Sequence, residues 1–219
     1  MSRGKLWVFS GLDGAGKTTQ IDLLLKEIGQ RKGRRLWTRV GYTPGFSTLK
    51  SLIRALSRAE YVPKSGHSAA RTQMFRSPWV KRVWLTLSML DLFLYLGVWA
   101  RILLLAGREV VADRWFIDSE IDLSLNFPDD HPEKSVLWRL ILRVLPEPNA
   151  HFVFLIEVDE SLRRSQLKQE PFPDSKAVLL QRYTLYREFI ANSNAIEIDG
   201  SQSIELVRRD VEVSQQESI

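Results

Sequence analysis

This 219-residue chain predicts an α/β fold: an open, mostly parallel five-stranded sheet with helices on both faces. Three observations carry that expectation. A glycine-rich phosphate-binding pattern joins an apolar strand to a helix, short runs are continuously apolar as buried parallel strands are, and helical patterns alternate with those runs. With 44% hydrophobic residues and no Pro/Ser/Gly-rich linker, the chain reads as one domain over residues 1–219.

The first strand is Leu6-Trp7-Val8-Phe9. It leads into Gly11-Leu12-Asp13-Gly14-Ala15-Gly16-Lys17-Thr18-Thr19, which fits the pattern G-x-x-x-x-G-K-[ST]. Glycines there let successive backbone N–H groups turn inward around an anion, and the helix that follows presents its positive dipole end. Lys17 reaches the β and γ phosphates of a nucleotide, the Thr18 hydroxyl is a ligand for Mg²⁺, and the apolar spacing from Thr19 to Leu25 continues as a helix packed on a sheet. Further strands are expected at Arg35 to Val40, Glu109 to Ala112, His151 to Glu157 and Ala195 to Ile198. Ligands on such a sheet bind beyond the carboxyl ends of the strands. Asp13 and Gly14 lie beyond the first strand, Arg39 to Gly45 beyond the second and Asp113-Arg114 beyond the third, so all converge on one crevice.

Between the second and third strands, Val83 to Ala106 is nearly all apolar. A membrane span needs about 20 such residues. Asp91 and Arg101 interrupt this run, so a helix buried in the domain is expected rather than a span. Trp79, Trp84 and Trp99 leave a membrane-surface contact open, and the same helix could equally be the seam of a homodimer.

Composition narrows the class. Without cysteine there are no disulfides, thiol nucleophiles or thiolate metal sites, and no signal peptide precedes the first strand, so a cytoplasmic enzyme is expected. His67, His131 and His151 show no metal-ligand spacing and read as surface or internally satisfied residues. The balance of 31 Lys plus Arg against 26 Asp plus Glu gives a formal +5. Cations recur at Arg31, Lys32, Arg34 and Arg35, read as a solvated turn, then from Lys64 through Arg71 and Arg76 to Lys81 and Arg82, and at Arg163, Arg164 and Lys168. No nucleic-acid module accompanies them, and no nucleic-acid partner is expected.

Asp113-Arg114-Trp115 is the second informative feature, because a charged pair directly after a buried strand suits core packing poorly. Two readings fit it. In one, Arg114 is a bidentate phosphate ligand while Asp113 holds Mg²⁺ through water or orients Lys17; in the other, the two form an ion pair capping the strand end.

The chain resembles the thymidylate kinase family of P-loop nucleoside monophosphate kinases. The resemblance rests on Phe9 to Gln20, on Val110-Val111-Ala112-Asp113-Arg114-Trp115, on Leu145-Pro146-Glu147-Pro148-Asn149, on Arg182-Tyr183 and on Ile196 to Glu205, in the family's order from end to end. It implies transfer of a phosphoryl group from ATP, with Mg²⁺, to a nucleoside monophosphate, dTMP by default. By that resemblance Lys17 and the loop from Gly11 to Thr19 hold the donor, Thr18 binds the metal, Arg114 grips the acceptor phosphate with Arg39 as a second candidate, and Asp13 touches the acceptor sugar. Catalytic arginines would come from a lid near 163–176, where Arg163, Arg164 and Lys168 stand; Lys17, Asp113, Arg114 and Arg164 are the expected catalytic set.

The departures fall on the acceptor side and the lid. Arg39-Val40-Gly41-Tyr42-Thr43-Pro44-Gly45 lacks the acidic residue of the family's segment. Leu92 stands where an arginine contacts thymine, Ser88 where an aromatic ring stacks on it, and Asp122-Leu123-Ser124 where a Tyr-Gln base contact is found. Glu170-Pro171-Phe172-Pro173-Asp174 replaces an arginine-rich lid. Two other functions therefore stay in play. One is a kinase for a different small acceptor, with Asp113 or Asp13 as base if that acceptor is a hydroxyl; the other is a nucleotide-binding switch that binds a partner without phosphorylating an acceptor.

Overall fold

The computed structural model describes residues 4–41, 43, 45, 75, 77–168 and 174–217. Five strands, β1 (Leu6–Gly11), β2 (Gly33–Trp37), β3 (Glu109–Asp113), β4 (Ala150–Leu155) and β5 (Ile196–Asp199), pair in the order β2-β3-β1-β4-β5. Every pairing is parallel. Parallel neighbours need crossovers, and helices supply them: α1 (Lys17–Ile28), α2 (Pro78–Leu105), α3 (Phe116–Asn126), α4 (Val136–Val144), α5 (Val158–Leu167), α6 (Lys176–Ala191) and α7 (Ile204–Glu217).

The period-2 alternation of the strands sorts their side chains between two layers. Leu6 and Val8 of β1 and Val110 and Ala112 of β3 pack with Leu85, Leu92 and Leu96 of α2, Phe116 of α3 and Ile141 of α4. Trp7, Phe9, Val111, Phe152 and Phe154 point the other way, onto Ile21 and Leu24 of α1 and Val207 and Val211 of α7. Further along, Val153 and Leu155 meet Ile121 of α3 and Leu179 and Tyr186 of α6. Burying each large apolar side chain is worth roughly 1.5–3 kcal/mol, so the apolar strands hold helices against both faces.

Strand β2 starts and ends earlier than the apolar pattern predicts, at Gly33 and Trp37 rather than Arg35 and Val40. Its partner sets the limit. Trp37 pairs with Asp113, the last residue of β3, and Thr38 N–H closes the ladder on the Asp113 carbonyl at 3.0 Å. Arg34 and Arg35 are therefore strand residues rather than a solvated turn, and Arg35 bonds Asp22 and Asp113. The basic residues Lys64, Arg71 and Arg76 and His67 lie outside the described residues, while Lys81 pairs with Asp130 at 2.7 Å.

Helix α2 is long and apolar enough to cross a membrane, yet Leu85, Met89, Leu92, Leu96, Ala100 and Leu104 recur at three- to four-residue steps along a face that belongs to the core. The two charges that interrupt its sequence are bonded inside the domain. Asp91 accepts from the Thr43 hydroxyl, and Arg101 donates to the carbonyls of Val144 and Leu145 at 2.5 and 3.3 Å. Its segment Phe93–Trp99 is wound as a π-helix, with Gly97 pressed so close to Val144 that a Cβ would stand 3.0 Å from its side chain. Trp79, Leu94, Trp99, Ile102 and Leu105 face outward and exposed.

Candidate functional site

The site forms where β1 and β3 end. Gly11 closes β1 with φ 122°, so near β4 that a Cβ would stand 2.1 Å from the Phe154 carbonyl oxygen. No side chain fits there. The loop enters α1 at Gly16, the N-cap residue, where φ is 91°, no side chain caps the helix and an added Cβ would meet nothing within 4 Å. The start of α1 thus offers backbone N–H groups to an anion, with room above Gly16.

Lys17 is 7% exposed and donates to the carbonyls of Gly11 at 2.9 Å and Leu12 at 2.5 Å. Burial and then the neighbouring Arg114 charge push its ammonium down to about 8, against the pull of Asp13. Thr18 and Thr19 are exposed at the mouth of the loop.

Helix α5 braces this loop. Ser161 donates to the Asp13 carbonyl at 2.7 Å, and Arg164 donates to the carbonyls of Gly14 and Gly200, each at 3.0 Å, while its Nε sits 2.6 Å from Glu160. The sequence places Arg164 at the start of a lid; here α5 runs on to Leu167, so Arg164 falls one turn after Glu160 and is tied to the loop. Arg163, also expected there, makes two bonds of 2.7 Å to Glu160. Glu170, Pro171, Phe172 and Pro173 lie outside the described residues.

At the end of β3 the two charged residues part, and neither pairs with the other. Asp113 takes Arg35, and its charge still reaches Lys17. Arg114 adopts a left-handed backbone with φ 74°, its N–H donated to the Phe9 carbonyl at 2.8 Å. A non-glycine residue holds that conformation at a cost of about 1–2 kcal/mol. The turn aims its guanidinium between Asp13, with which Nη2 pairs, and Asp118, 3.1 Å from Nη1. Burial opposes ionisation of Asp13, but Arg114, Lys17, Arg182 and Arg39 outweigh it and hold the carboxyl well below the usual range.

Gly11, Leu12, Asp13, Arg39, Arg114, Asp122 and Arg182 line one narrow pocket beside the loop. Asp13, Arg39 and Arg114 meet there as expected from the sequence. Arg182 of α6 adds a third guanidinium, held 2.6 Å from Asp122 and 2.7 Å from Asp174, which keep it charged against its burial. Ser88 and Leu92, which the sequence comparison sets at the position of a base, are fully buried, and Leu92 packs in the core.

Several residues escaped sequence reasoning: Asp118, Ser10, Ser161, Tyr186 and the role of His151. Asp118 is 2% exposed and accepts from Ser10, Trp115 N–H, Tyr186 and Arg114. His151 lies against the Phe189 ring with Nε2 2.8 Å from the Ser10 hydroxyl; burial pushes it down to about 4, although Asp118 pulls the other way. Asp118 carried one faint signal, its place four residues beyond Arg114; Ser10, Ser161 and Tyr186 carried none, and the sequence reads His151 only as a surface or internally satisfied residue.

Among the described residues no group of three or more His, Asp or Glu gathers to hold a metal. A Mg²⁺ bound largely through nucleotide phosphates needs less, and the exposed Thr18 hydroxyl beside Lys17 fits it. Asp113 is committed to Arg35 and is the weaker metal ligand of the two expected.

No protein-family model and no curated protein matches the sequence. Solved structures do match. A thymidylate kinase from Ehrlichia chaffeensis superposes with a TM-score of 0.56 at 18% identity, covering 98% of this chain and 99% of that one. The fold is that of the thymidylate kinases. The structure of thymidylate kinase from Candida albicans gives a TM-score of 0.63, also at 18% identity, over 99% of this chain and 93% of its own. The likeness runs the length of the chain.

Proposed function

We propose that the protein is an ATP-dependent, Mg²⁺-requiring kinase of a phosphate monoester, with a nucleoside monophosphate, dTMP first, as acceptor. One observation carries the reading: the glycine-rich loop and three arginines from three other segments of the chain border the same pocket. The thymidylate kinase fold supports the substrate class.

In this reading Lys17 and the N–H groups at the start of α1 hold the β and γ phosphates of ATP, and Arg114 with Arg39 holds the acceptor phosphate. An oxygen of that phosphate attacks the γ phosphorus, the bond from the γ phosphorus to the β–γ bridging oxygen breaks, and ADP leaves with the electron pair. Bound at Thr18, Mg²⁺ supplies charge neutralisation across the donor phosphates. A phosphate monoester, with a second pKa of about 6, is already largely dianionic at neutral pH, so alignment and charge compensation suffice. A hydroxyl acceptor would need a base. Of the two candidates, Asp13 has its carboxyl held far below neutrality by Arg114 and Asp113 is paired with Arg35, which favours the phosphate acceptor.

A coupled ADP-release assay across the common nucleoside monophosphates tests the proposal. Turnover with at least one supports it; ATP binding with no turnover on any of them overturns it and leaves the switch and the kinase of a different small acceptor.

A further inference from the structure

Arg114 needs an anchor, because its left-handed backbone sets the direction of the side chain and not the plane of the guanidinium. Asp118, in the first turn of α3, accepts four hydrogen bonds. Arg114 Nη1 at 3.1 Å and the Tyr186 hydroxyl at 2.7 Å meet Oδ1; the Ser10 hydroxyl at 2.6 Å and Trp115 N–H at 2.9 Å meet Oδ2. Helix capping accounts for the Trp115 bond alone. Behind Ser10 stands His151, with Nε2 2.8 Å from the same hydroxyl.

The proton positions in this line follow from donor counting. An ionised carboxylate has no proton to give, so the single Ser10 hydroxyl proton goes to Asp118. The contact with His151 is then satisfied in one way: Nε2 carries a proton and donates it to the Ser10 oxygen. His151 therefore carries a proton on Nε2, and its burial against Phe189 keeps the ring neutral, which makes it the Nε2–H tautomer.

We infer that Asp118 is a positioning residue for Arg114: the line from His151 through Ser10 fixes the carboxylate, and the carboxylate fixes the guanidinium that faces the acceptor pocket. The inference rests on the reading of Arg114 as the acceptor-phosphate ligand, and it gives buried Ser10 and His151 a task beyond packing.

Two variants separate anchoring from fold maintenance. Asp118→Asn keeps the side-chain volume and, with its amide oxygen toward Ser10 and Trp115, the helix cap, but turns an NH₂ group toward Arg114. Tyr186→Phe removes another bond to the same oxygen without touching Arg114. The first readout is ¹⁵N NMR of the protein without nucleotide. Separately resolved, slowly rotating Arg114 Nη signals and an Nε2–H tautomer of His151 are expected; the arginine signals exchange faster in Asp118→Asn, where Asp13 alone still holds Nη2, and keep the parent rate in Tyr186→Phe. The second is ADP release with dTMP as acceptor. Asp118→Asn raises the KM for dTMP about tenfold with the KM for ATP unchanged, whereas Tyr186→Phe leaves both unchanged. Free rotation of Arg114 in the parent protein, an Nδ1–H tautomer, or an unaltered dTMP KM in Asp118→Asn overturns the inference. A parent protein that turns over no nucleoside monophosphate overturns the proposed function instead, and the NMR comparison then decides the anchoring by itself.

Discussion

Lys17→Met separates what this lysine does for nucleotide binding from what it does to the fold. Lys17 is 7% exposed, and burial with Arg114 beside it brings the pKa of its ammonium from the ordinary 10.5 down to about 8. That displacement corresponds to about 3 kcal/mol by which the folded state disfavours the proton. The sign follows from proton counting. Below about pH 8 both states carry the proton and the full penalty stands; between about 8 and 10.5 the unfolded chain holds it more often than the folded one, so stability rises with pH; above 10.5 the penalty is gone. Methionine carries no proton and removes the rise. It also removes the donors to the Gly11 and Leu12 carbonyls, a loss that displaces the whole curve without bending it. Urea denaturation from pH 7 to 10.5 should therefore show the parent gaining about 3 kcal/mol relative to Lys17→Met, equivalent to roughly 6–12 °C in Tm for a chain of this size. ATP binding, followed by calorimetry, should be lost in the variant. Parallel stability curves would refute the reasoning, since they would mean that the buried ammonium is not penalised.

His151 predicts the mirror experiment in acid. Its folded value of about 4 lies below the ordinary 6.5, so the unfolded state binds the proton first and stability falls as pH drops from 6.5 to 4, by about 3 kcal/mol relative to His151→Gln in denaturant titrations. Arg182→Ala leaves Asp122 and Asp174 without their shared cation; a loss of about 3 kcal/mol in urea is expected, together with a raised acceptor KM. Gly11→Ala drives a methyl group into the Phe154 backbone and should destabilise more than Gly16→Ala, where space is open and the left-handed φ alone costs about 1–2 kcal/mol; thermal melts rank the two.

The glycine-rich loop of the candidate site was legible because its pattern is local. Gly11 to Thr18 fixes a loop through spacing within one segment, and the apolar run before it and the helical spacing after it name the flanking elements. The strands of the central sheet were legible for a similar reason: continuously apolar runs such as Phe152 to Ile156 have few other homes. The bounds of the edge strand β2 were not, because its end is set by Asp113 on β3, 76 residues away from Trp37. The supports of the site are equally non-local. Ser10, Asp118 and His151 come from β1, α3 and β4, and each is an ordinary residue until topology brings them together. Arg164 shows the converse, since its position beside a predicted lid pointed to catalysis while the continuing helix ties it to the Gly14 and Gly200 carbonyls.

The candidate site holds its cations in two ways, and under the proposed function that difference bears on selectivity. Lys17 is held by neutral carbonyls, so its charge is compensated by dipoles and distant carboxylates and its field is available to a polyanion. In the pocket beside the loop two guanidiniums are matched by acids: Arg114 lies between Asp13 and Asp118, and Arg182 between Asp122 and Asp174. Such a surface attracts anions weakly at long range, because its carboxylates offset its arginines beyond a few ångströms. A phosphate gains there only by meeting the guanidinium nitrogens in register, in competition with Asp13 for Arg114. Selection on that side is therefore geometric, which is why the orientation of Arg114, and the buried line that sets it, matters more than the total charge of the pocket.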